Sequence, residues 1–250
     1  MHESEYHKIS QFESNHWWFE ERRHLLRFLL QRFLPDHGAK ILDVGCGTGH
    51  HLRYLQQLGY QAAQGIERSP IAIAFCRQLG LERVVQGDAA ATPYGSEQFD
   101  AVLVLDVLEH LPDDNAGMRE FWRILKPGGL VMLTVPAFHF LWSRHDKILE
   151  HFRRYRLCDV EILAKRHRFS MEHSSYFFCA IFPLVVAYRY IAKLLRLDKT
   201  SDLEATAEPF NSLLKLIGRM EIGIVHHVHR LPFGTSLAVV LKKTGVDSGN

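Results

Sequence analysis

Two histidines, His145 and His151, share one short stretch, Trp142 to Tyr155, with Asp146, Arg153 and Arg154. Imidazole titrates near neutrality, so either histidine suits a general base taking a proton from a hydroxyl. Arg153 and Arg154, with Tyr155, suit positioning an acceptor, above all an anionic one. A plainer reading of the same residues is a salt-bridged lid in which Asp146 pairs with Arg153 or Arg154. A second chemical stretch is Asp43-Val44-Gly45-Cys46-Gly47-Thr48-Gly49-His50. Closely spaced glycines permit positive φ and let backbone approach a ligand. The dinucleotide fingerprint G-x-G-x-x-G would need glycine at position 50, where histidine stands, which disfavours a dehydrogenase.

Strands and helices must position these groups. Ile41, Leu42 and Val44 form an apolar run ending in the glycines, the pattern of a buried parallel strand. Leu52, Leu55 and Leu58 follow at helical spacing, so the glycine turn lies where open α/β sheets bind nucleotides. Further strand ends follow: Gly65-Ile66-Glu67-Arg68, with Glu67 18 residues past Gly49, then Gly87-Asp88-Ala89. Phe99–Leu105 leads into Asp106-Val107-Leu108-Glu109-His110, and Leu125-Lys126-Pro127-Gly128-Gly129 turns into Leu130–Pro136. Five such elements in order across residues 40–136 resemble the class I S-adenosylmethionine (SAM) methyltransferases, in a bacterial type 11/12-like subgroup.

The resemblance implies a doubly wound α/β fold with a mostly parallel seven-stranded sheet, and SAM as cofactor. It implies that Asp43, Gly45, Cys46, Gly47 and Gly49 cradle the donor. Glu67 would hold the ribose diol beside Arg68, and Asp88 and Ala89 would meet the adenine. Asp106 and Val107 would wall the cofactor, and His110 would begin the acceptor pocket. Some relatives use an acidic-x-x-Glu-His set for a divalent ion, and Asp106, Glu109 and His110 match that spacing. The preferred reading is that no metal binds and that Glu109 and His110 order the loop by hydrogen bonds. The subgroup's Trp…His-Asp…His-x-Arg-Arg-Tyr run makes Trp142, Arg153 and Arg154 acceptor-binding residues, with His145, His151 and Tyr155 catalytic.

Residues 1–38 read as a helical arm: Ser14 or Asn15 caps one helix carrying Trp18, Arg22, Leu26, Leu29 and Phe33 on one face. His16-Trp17-Trp18-Phe19-Glu20-Glu21-Arg22-Arg23 resembles an opening from that subgroup. There the arm would close over the cofactor through Trp18 and Arg22, or simply staple the helix to the domain. Residues 39–176 and 231–244 form the SAM-binding domain, with Ile71, Ala72, Ala74, Phe75 and Leu79 as one helix's buried stripe. Strand six begins at Phe169, and Ser236–Lys242 is an antiparallel last strand. Residues 177–230 read as a helical insertion and acceptor lid, its helices joined by a polar linker from Thr200 to Pro209. The apolar run Phe177–Ala187 falls short of the roughly 20 residues needed to span a bilayer. With Arg189, Lys193 and Arg196 it suits an interfacial contact through residues 177–196.

Over 250 residues, 47% hydrophobic and 23% charged content describe an ordinary globular chain, and a net charge of +2 gives no whole-protein pull toward nucleic acid. Cys46, Cys76, Cys158 and Cys179 form no metal spacing and suit a reducing cytoplasmic setting, with peripheral contact at the inner membrane face. The expected function is methyl transfer to a small-molecule or lipid- or glycan-linked acceptor, at a hydroxyl oxygen. The alternatives are a metal-assisted enzyme for a quinone precursor or RNA end, and a non-catalytic SAM-binding partner subunit. The acceptor's identity and the oligomeric state have no signature in the sequence.

Overall fold

The computed structural model describes residues 3–195, 207–228 and 230–245. The arm is two helices, α1 (Glu3–Phe12) and α2 (Trp17–Phe33), not the single one expected. His16, not Ser14 or Asn15, caps α2: its ring accepts from the Trp18 amide. Asn15 instead accepts from Lys215 and offers its carbonyl to Asn211.

Five strands follow the apolar runs, with a helix between each successive pair except β3 and β4: β1 (Ile41–Val44), α3 (His50–Gln57), β2 (Gln64–Glu67), α4 (Pro70–Gln78) and β3 (Val84–Gln86) come first. After them come β4 (Phe99–Leu105), α5 (Asp114–Ile124) and β5 (Leu125–Pro136). A short helix α6 (Arg144–Ile148) and α7 (Leu157–Arg166) precede β6 (Phe169–Phe177), and β7 (Ser236–Lys243) closes the sheet. The order is β3-β2-β1-β4-β5-β7-β6, with β7 antiparallel to both its neighbours. This is the expected seven-stranded, mostly parallel sheet. Leu237 to Leu241 of β7 are fully buried, as an apolar run in a central strand must be.

Register places the site. Val44 pairs with Ile66 on one side and Val104 on the other, so Gly45, Glu67 and Leu105 emerge side by side at one edge. Leu105 pairs in turn with Thr134 of β5. Helix α4 buries Ala72, Ile73 and Cys76; of the expected stripe only Ala72 is buried, and Ala74 is exposed. Phe75 turns instead to the arm, its ring edge-on to His7 at 5.2 Å.

The insertion supplies α8 (Phe182–Leu194) and α9 (Glu208–Val228). Helix α9 lies along α2: Asn211 accepts from the Trp17 amide at 2.9 Å, and Lys215 and Arg219 pair with Glu20 at 2.8 and 2.6 Å. The linker expected from Thr200 to Pro209 ends earlier, because Glu208 and Pro209 already belong to α9; residues 200–206 and Arg196 lie outside the described residues. No described helix is long and apolar enough to cross a membrane.

Candidate active site

The glycine loop is shaped by its neighbours. Gly45 has φ +64, and a Cβ there would sit 2.6 Å from Val107, so no other residue fits without moving β4's exit loop. Gly47, at φ +55, has nothing within 4 Å of an added Cβ: its outer side is open space, a cradle for a ligand. Its amide donates to Glu67 Oε2 at 3.0 Å, and Ser69's amide to Oε1 at 2.8 Å. Asp43, at the end of β1, is buried with Oδ2 unpartnered. Burial, with Glu67 nearby, pushes its carboxyl up to about 8 despite the pull of Arg22.

The arm covers this edge. Arg22 of α2 is buried, pairs with Asp106, donates to Thr134 Oγ1 at 3.2 Å and stacks on Trp18 at 4.3 Å. Burial lowers its guanidinium to about 10, while Glu109, Glu13 and Asp43 pull it back up. Asp106 holds φ +53, uncommon for a residue with a side chain, and such strain gathers at functional sites. Glu13 accepts from Thr48 of the glycine loop and lies 3.4 Å from His50. Tyr6 of α1 bonds Ser69 and feels the charge of Glu67; burial and that charge push its hydroxyl up to about 12.

Beyond Arg22 is a second polar group. Glu109 is 0% exposed in the turn after β4, with neither carboxylate oxygen partnered. Burial pushes it up to about 8, against Arg22 and Arg154. His110 and His151 meet edge to face at 4.6 Å, and ligand atoms of Glu109, His110 and His151 all lie within 4.8 Å of one another. Burial and His151 lower His110 to about 3, so it stays neutral. Asp146 is buried and accepts from Arg154 Nε at 2.7 Å, Arg154 Nη2 at 3.0 Å and the Ser143 amide at 2.8 Å. The His151 and Arg154 hydrogen bonds hold its carboxyl far below the usual range despite burial. An ionised Asp146 only accepts, so His151 Nδ1, 3.1 Å away, must donate, which fixes the tautomer of the neutral ring with its lone pair on Nε2.

Residues 42–133 match a family described as a methyltransferase domain. They carry this methyltransferase domain, of the SAM-dependent class I type. A ubiquinone biosynthesis O-methyltransferase from Xanthomonas oryzae pv. oryzae is 35% identical over 150 residues, 54% of this chain and 61% of that protein. The chloroplastic 2-methyl-6-phytyl-1,4-hydroquinone methyltransferase 1 of Oryza sativa subsp. japonica is 26% identical over 203 residues, 74% of this chain and 61% of that one. The alignments thus span 61% of the length of these relatives. The SAM-dependent methyltransferase of Mesorhizobium loti superposes with TM-score 0.56 at 16% identity, covering 86% of this chain and 95% of that one. The [4+2]-cyclase SpnF superposes with TM-score 0.58 at 20% identity, covering 90% and 81%. Such likenesses show the fold alone, and the chemistry of a methyltransferase must be argued from its site.

The residues present fit SAM, the family's cofactor. Its ammonium and sulfonium suit a buried, unpartnered Asp43, and Gly47 leaves room above the loop. Asp88 and Ala89 follow β3 at the same edge, Asp88 exposed and accepting from the Ala90 amide at 2.7 Å; Arg68 is exposed beside Glu67. Cys46 packs its sulfur against Gly65 of β2, where an added Cβ would meet it at 2.7 Å. The metal-like set differs from its sequence spacing: Asp106 is taken by Arg22, and His151 joins Glu109 and His110 instead. His145 stands on α6 outside that trio, and Trp142 lies against His139, ring centroids 5.7 Å apart. The Tyr155 hydroxyl reaches Asp114 at 3.1 Å, and Arg153 reaches Asp114 at 2.9 Å and the Pro112 carbonyl at 2.6 Å. Both therefore tie the loop to α5. Sequence reasoning missed Tyr6, Glu13 and Thr134; Tyr6 and Glu13 lie in no motif, and Thr134, inside the strand-five element, carries no local mark of its role.

Proposed function

We propose that this methyltransferase methylates a hydroxyl oxygen of a quinone-precursor-like small molecule, with His151 as general base. The observation that carries the reading is the Asp146–His151 pair, which orients the ring so that Nε2 is the basic nitrogen of its neutral form, in the group with Glu109 and His110. Relatives named for O-methylation in ubiquinone biosynthesis and for a hydroquinone supply the acceptor class. Bound in the glycine cradle, SAM would supply an activated methyl group, with its sulfur retaining the electrons of the broken C–S bond. Catalysis then rests on placing the acceptor oxygen in line and removing its proton to His151 Nε2. Asp146 orients the ring and stabilises the imidazolium, and Arg154 fixes Asp146. Arg22, touched by charges on both the cofactor and the acceptor sides, divides the two.

A second reading, metal-assisted deprotonation, is favoured by one observation: buried Glu109, its carboxylate oxygens unpartnered, has a ligand atom within 4.8 Å of ligand atoms of His110 and His151. Glu109, His110 and His151 would be the ligands, with Asp146 orienting His151 from behind. One experiment separates the readings. His151→Ala should keep SAM affinity and lose turnover by about 10²–10⁴-fold on a catechol acceptor. Turnover of the unmodified chain should survive exhaustive EDTA. Activity that disappears with EDTA and returns with Mg²⁺ or Mn²⁺ moves the assignment to the metal reading, and full turnover in His151→Ala removes both.

A further inference from the structure

Helix α8 buries none of its residues. Exposed Leu184, Ala187, Tyr188, Ile191 and Leu194, with Leu195 just past its end, recur at intervals of three and four and share one face, while Tyr190, 66% exposed, stands to the side of it. Leu194 is 82% and Leu184 68% exposed. The helix carries two charges, Arg189 and Lys193, both positive and both on the opposite side of the helical wheel. At its foot Phe182 lies 5.6 Å from Phe138 and 5.3 Å from Phe233, ring to ring. Phe138 also stacks on Phe140 at 5.4 Å, and Phe140 is 51% exposed. Phe138's amide donates to the Tyr155 carbonyl, so this aromatic tract begins on the segment that carries the acceptor-side residues.

Contiguous apolar surface of this kind on a folded chain marks a contact with something else. We propose that α8, with the aromatic side chains at its foot, docks on an anionic lipid bilayer surface. Thirteen residues cannot cross a bilayer, but an apolar face opposite basic residues is what a helix lying in the interface plane requires. Two cations and no acid on the helix complement anionic head groups. Docking holds whatever acceptor is methylated, and it would turn the aromatic tract toward the membrane.

The test is cosedimentation of the full chain with vesicles of mixed phosphatidylglycerol and phosphatidylcholine, against pure phosphatidylcholine. The unmodified chain should pellet with the anionic vesicles at low salt. Leu184→Ser with Ile191→Ser and Leu194→Ser should weaken partitioning at least tenfold. Lys193→Glu should weaken it at least fivefold, since one cation near such a surface is worth about 1 kcal/mol, roughly fivefold. Each variant should keep its circular dichroism, because none of the substituted side chains is buried. A chain that stays in the supernatant with anionic vesicles overturns the proposal, as does a triple variant that pellets undiminished. Concentration-dependent doubling of mass, lost in the triple variant, would assign the face to a second copy and overturn it equally.

Discussion

Glu67 shows how much one carboxylate can do at the end of a strand. Two of its roughly four acceptor positions are already used by the Gly47 and Ser69 amides, which leaves two for a diol. Charge-assisted bonds contribute about 1.5–3 kcal/mol each, and 1.4 kcal/mol is tenfold in affinity. Glu67→Ala should therefore weaken SAM at least tenfold in calorimetric titration; wild-type affinity would dismiss the ribose role. The same reasoning separates two histidines that sequence treats alike. His151 has a buried carboxylate behind it and two ligating groups before it, while His145 sits on α6 outside that group. Nothing in the spacing of His145 and His151 distinguishes them, because the distinction is made by Glu109, brought from a different strand end.

Helix α1 acts as an element held by chemistry rather than by apolar area alone. Burial raises Glu13 from its ordinary 4.5 to about 7, opposed by the Thr48 hydrogen bond and by Arg23 and Arg22. A raised carboxyl means that docking takes up a proton. That support is complete below about pH 4.5, where the group is protonated docked or free, and is lost as pH rises through about 7. His50 works in the other direction, since burial, Arg23 and Arg53 lower its imidazole. Exchange protection of the Glu3–Phe12 amides should fall between about pH 4.5 and about pH 7, and Glu13→Gln should flatten that slope. Equal slopes in both proteins would place the pH dependence elsewhere. The element was not legible in advance: Glu3–Phe12 has a polar sequence and no cap signature, and its helix exists because α4 and the glycine loop receive it.

Across the whole molecule, the insertion and the arm are one structure built from opposite ends of the chain. Asn211 of α9 accepts from the Trp17 amide and donates to the Asn15 carbonyl, 194 and 196 residues away. Asn211→Ala leaves both main-chain groups without their partner, which costs about 1–3 kcal/mol. For a chain of this size each kcal/mol moves Tm by about 2–4 °C. Scanning calorimetry should therefore show a Tm lower by several degrees; an unchanged Tm would mean that α9 does not clamp the arm. The sequence by itself determined the parallel sheet, the glycine loop, the acidic strand ends and the antiparallel last strand. The strands and the glycine loop follow from local periodicity and from glycine, which act over a few residues and need no distant partner. The roles of the acidic strand ends and the antiparallel direction of the last strand were implied by the family resemblance. Only the tertiary structure decided that Arg22 takes Asp106, that Glu13 reaches Thr48, and that His151 joins Glu109 and His110. Those pairings are selected by burial, which makes a charge or polar atom seek whichever partner the packed chain places beside it, whatever their separation in sequence.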